Sequence, residues 1–93
     1  MNERYRFGEF ELQVLRVEIA EMEARFGCNA KWLIRIAAQT NGTAGYEEMI
    51  VNFGREGCAI VNMLTIVHSC RNAAGIREMF HRNFRKYLAG TPL

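Results

Sequence analysis

The run Gly57–Cys70, GCAIVNMLTIVHSC, constrains this chain most, because so apolar a stretch must be buried in protein or enter a membrane. Coiled as a helix at about 1.5 Å per residue it spans about 20 Å, against a hydrocarbon core of about 30 Å. Asn62, Thr65, His68 and Ser69 also interrupt it. A membrane span is excluded, and the run reads as the central helix of a core. On a helical wheel Arg55, Asn62, Thr65, Ser69 and Asn72 share one narrow arc, while Ile60, Met63, Leu64 and Val67 take the opposite face. His68 and Cys70 then point about 200° apart and cannot share a metal. With no close C-x2-C pair, Cys58, His68 and Cys70, even with Cys28 and His81, make no zinc set. The cysteines read as small hydrophobes and His68 as a structural histidine. No metal or cofactor is expected.

The remaining composition points the same way. A chain of 93 residues is a single domain, 1–93, with a thin core, yet 49% of it is apolar. Surplus apolar surface has few outlets besides a partner or a second copy, so a homo-oligomer is expected. Every one of the ten acids is glutamate, a better helix former than aspartate, and the single proline is Pro92. Three cysteines, and an N-terminus MNERYRFGEF without an apolar signal region, suggest a reduced, cytoplasmic protein.

These features predict an all-α fold, a small bundle of four to five helices. Residues 9–26 form the first, with Leu12, Leu15, Ile19, Met22 and Phe26 on one stripe and Gly27 as the stop. Phe10, Val14 and Val17 make a second stripe, the candidate oligomer face. The alternative for residues 5–14 is a short N-terminal strand or hairpin, since FELQV alternates with period two. Asn29 is placed as the cap of a second helix reaching Gln39. Thr40–Gly45 is read as a loop, and Tyr46, Met49, Ile50 and Phe53 as the inward face of a third helix. Gly54 and Gly57 mark a break, and Asn72 caps a last helix to about Ala89.

That last helix, NAAGIREMFHRNFRKYLA, carries the clearest functional signal. Arg77, His81, Arg82, Arg85 and Lys86 form a basic ridge opposite Ile76, Met79, Phe80, Phe84 and Tyr87. Guanidinium forks match carboxylate and phosphate, so the ridge suits an acidic protein surface or nucleic acid. A helix-turn-helix around Ala38 and Gly42 fails, because Tyr46-Glu47-Glu48 would present acids to phosphate. Tyr5–Leu12, YRFGEFEL, resembles the opening strand phrase of response-regulator-type winged-helix domains. The resemblance covers those residues alone, and the β-rich platform it implies is replaced here by the Glu/Leu/Val segment, so it assigns no family.

No paired catalytic carboxylates, Cys–His dyad or phosphate loop is legible. The expectation is therefore a non-enzymatic regulatory protein of adaptor or inhibitor type. It binds a macromolecular partner as a homodimer, without a small-molecule substrate. A nucleic-acid-binding regulator using the basic helix is the alternative.

Overall fold

The computed structural model describes residues 3–37 and 45–86. It contains a four-stranded antiparallel sheet, which overturns the expected all-α bundle. The chain runs α1 (Glu9–Phe26), β1 (Lys31–Ala37), β2 (Tyr46–Asn52), β3 (Cys58–Asn62), α2 (Met63–Ser69), α3 (Ala73–Asn83) and β4 (Phe84–Arg85). Single 3-10 turns sit at Glu3–Tyr5 and Gly54–Glu56. The strands lie in the order β1-β2-β3-β4, and the shortest dimension, 18 Å, holds one sheet and one helical layer. The architecture is a two-layer α+β fold.

The first helix forms where expected. Gly8 precedes it, with its N–H donating to Glu11 Oε1 at 2.8 Å, and Gly27 ends it in the left-handed region at φ 68°. The alternative of a strand or hairpin over residues 5–14 is likewise corrected, because Glu9 already begins the helix. Glu23 then fixes the exit by accepting from Ala30 N–H at 2.6 Å.

The predicted second and third helices are the strands β1 and β2, in register from Lys31↔Asn52 to Ala37↔Tyr46. KWLIRIA and YEEMIVN are rich in β-branched and aromatic residues, and Met49, Ile50 and Val51 are buried in succession. As a strand, the run sends Met49 and Val51 into the helix-side core, while Ile50 lies on the other face between its cross-strand neighbours Leu33 and Ile60. Gln39 and the Ala38–Gly42 and Thr40–Ala44 segments lie outside the described residues.

The central run divides in two. Cys58–Asn62 is β3 and Met63–Ser69 is α2, with Asn62 as the hinge, its side chain accepting from Thr65 N–H at 2.8 Å. The polar residues that seemed to line a long helix thus include the cap that ends a strand and starts a helix. Asn72 caps α3 as expected, accepting from Gly75 N–H at 2.7 Å. That helix stops at Asn83 and gives way to β4, so the ridge is not one helix face. Tyr87 and Ala89 lie outside the described residues.

One core joins the layers. Leu15, Ile19 and Met22 of α1 pack with Met49 and Val51, with Ala59 and Val61, and with Ile66, Ile76, Met79 and Phe80. Phe53 sits among three rings, with centroids at 5.9 Å to Phe26, 6.2 Å to Phe80 and 5.8 Å to Phe84. Gly57 closes this end at φ 133°, where a Cβ would collide with the Arg85 carbonyl oxygen. No helix among the described residues is long and apolar enough to cross a membrane.

Candidate functional site

The helices seat mainly on the two central strands. Helix α2 packs on β2, α3 packs on β3, and α1 packs on α3. Strand β1 is hydrogen-bonded to β2 on one side and ends the sheet on the other. Alternation puts Trp32, Ile34 and Ile36 on the helical side, opposite Val51, Met49 and Glu47. Leu33 and Arg35 fall on the other side, opposite Ile50 and Glu48.

Five large hydrophobics among the described residues are exposed, and three of them, Trp32, Leu33 and Ile36, lie on β1. Ile36 is the extreme at 65% exposed. Ile34 alone reaches the core. The Arg16 guanidinium lies 6.0 Å from the Trp32 ring centre, partly screening it. On the far side Arg35 Nε donates to Glu48 Oε1 at 2.8 Å, which holds that charge against its own sheet. Among the described residues no strand pairs with the outer side of β1, and this seven-residue edge, apolar apart from Lys31 and Arg35, is a template for another strand.

The residues expected to form a site are dispersed. Of the α1 stripe, Phe10 is 50% and Val17 38% exposed, but Val14 is buried in the core. The helix instead buries two acids on the face toward α3 and the segment before it. Glu18 Oε2 meets His81 Nε2 at 3.1 Å, and Glu11 Oε2 lies 4.0 Å from Arg71 Nη2. His81 is therefore a structural partner of a buried carboxylate. Arg82 faces Glu78 at 3.4 Å along α3, Arg77 is exposed, Arg85 is in β4 and Lys86 follows it. Arg82 and Arg85 meet at a shallow cleft of about 240 Å³ with Cys58, Ile60 and Asn83, whose side-chain amide donates to the Ile60 carbonyl at 2.9 Å.

The cysteines and histidines stay apart. Among the described residues no three His, Cys, Asp or Glu side chains converge on a point that could hold a metal. His68, read as a structural histidine, is exposed with its ring 6.2 Å from Tyr5. Burial pushes the Cys58 thiol up, partly offset by Arg85, and does the same for Cys70, offset by Arg82. Both are held away from the reactive thiolate.

Sequence reasoning missed β1 as a surface, because Leu33 breaks the alternation of Trp32, Ile34 and Ile36 with polar residues and the run fits a buried helix as well as a strand. No family model, curated protein or solved structure matches the chain.

Proposed function

We propose that this chain is a small non-enzymatic interaction protein, of adaptor or inhibitor type, that engages a macromolecular partner by strand addition along β1. One observation carries the reading: the exposed hydrophobics concentrate on the free edge strand. An incoming strand would satisfy the outward N–H and C=O groups of β1 and cover Trp32, Leu33 and Ile36 together. The raised thiols of Cys58 and Cys70 argue against a thiolate nucleophile at those two positions. Three free cysteines suit a reducing compartment such as the cytoplasm.

The nucleic-acid alternative has weaker support, since His81 and Arg82 are engaged by Glu18 and Glu78. Affinity capture from the native host with the wild-type chain, Ile36→Lys and Phe10→Lys tests the reading. Co-purifying protein, an untagged second copy of the chain included, should disappear with Ile36→Lys and persist with Phe10→Lys; a partner set unchanged by Ile36→Lys overturns it. Binding of random-sequence RNA or DNA with a steep salt slope, lost on removing Arg82 and Arg85, would favour the alternative.

A further inference from the structure

We infer that β1 pairs antiparallel with β1 of a second copy, each Ile34 facing its counterpart, so that two four-stranded sheets become one. The inference rests on reading β1 as the contact surface, and adds the occupant and the register. Two antiparallel copies in one continuous sheet are related by a two-fold axis normal to it, with both helical layers on the same side. Residues facing each other must then share a face, so the axis passes through a residue position of β1. That leaves few registers.

Centring on Leu33 puts Lys31 opposite the second copy's Arg35, and symmetry repeats the clash. Centring on Arg35 sets two guanidiniums face to face. Centring on Trp32 or Ile36 leaves most of the strand unpaired. Centring on Ile34 pairs all seven residues of Lys31–Ala37 and opposes no like charges. Lys31 then faces Ala37, and Leu33 faces Arg35, whose charge Glu48 compensates at 2.8 Å. Trp32 faces Ile36 twice, an aromatic–β-branched pair built from two side chains that the monomer leaves 37% and 65% exposed. One register pairs the whole edge with itself, opposes no like charges and matches its most exposed apolar side chains, and that points to a second copy rather than an unrelated strand.

Light scattering from micromolar to millimolar concentration, on variants that melt like the wild type, tests this. The wild type should form a species of twice 10.7 kDa. Leu33→Lys places a cation opposite Arg35 at two symmetric positions and should weaken the dimer about tenfold or more, whereas Leu33→Glu should retain or tighten it. Ile34→Cys should cross-link to itself under mild oxidation, and Leu33→Cys should not. Equal weakening by Leu33→Lys and Leu33→Glu overturns the register. A dimer insensitive to β1 but lost in Val17→Lys overturns the surface. A monomer throughout, whose host partner is still lost in Ile36→Lys, overturns the second copy and leaves the edge reading standing. A monomer that keeps its partner in Ile36→Lys removes both.

Discussion

Strands β1 and β3 are both apolar, KWLIRIA and CAIVN, yet have opposite fates. Every residue of β3 is buried or half-buried, between β2 and β4 and beneath α3. In β1, Trp32, Leu33 and Ile36 stand in water. The difference arises from position: β3 is paired along β2, met by β4 at Cys58 and Ala59 and packed against α3, while among the described residues β1 is bonded on one edge and only Ile34 reaches the core. Apolar content thus measures what a strand could bury, and the tertiary layout decides whether the monomer supplies the cover.

That contrast can be attacked in order of effect. Met49→Ala, in the fully buried strand row beside β3, should cost about 2–5 kcal/mol by denaturant unfolding. If it costs no more than a β1 change, the core is misplaced. Gly57→Ala should cost about 2–3 kcal/mol, because the left-handed φ and the Arg85 carbonyl both oppose a Cβ, and it should loosen β4 from β3. His81→Ala should destabilise by about 1–3 kcal/mol by leaving the buried Glu18 unpaired, while Glu18→Leu should be nearly neutral. Equal costs for these two would contradict that asymmetry.

Smaller effects sharpen the β1 side. Ile36→Ala should change monomer stability by less than about 0.5 kcal/mol while weakening association, a separation no core residue can show. The Cys58 thiol on β3 should resist alkylation at neutral pH, unlike an introduced Ile36→Cys. Burial raises its folded-state pKa, so the stability it contributes is fully present below the ordinary thiol range. That contribution is lost as pH rises through the folded value, and a Cys58→Ala chain should lack this alkaline decline.

Much of the first helix was legible because its signals are local. The i, i+3, i+4 spacing of Leu12, Leu15, Ile19 and Met22 and the stop at Gly27 need no distant partner. Asn72 as a cap was legible for the same reason. Strands β1 to β3 were not, since short β-branched runs fit a buried helix or a strand, and only cross-strand pairing such as Met49↔Val61 separates them. The glutamates misled in kind. They read as helix formers, yet Glu11, Glu18, Glu23 and Glu47 accept hydrogen bonds or ion pairs that tie segments together.

Of the candidate surfaces, the basic ridge was read as one helix face, but β4 and the partners of His81 and Arg82 divide its residues in space. Sequence alone determined the helix at 9–26, the Asn72 cap, the break at Gly54 and Gly57 and an apolar surplus for the chain's length, whereas the Asn29 cap fell with the helix it was meant to start. Those follow from backbone preference and spacing, which act over a few residues. Only the tertiary structure decided that the surplus gathers on one edge, because which strand is left unpaired depends on long-range pairing order and on where three helices find room.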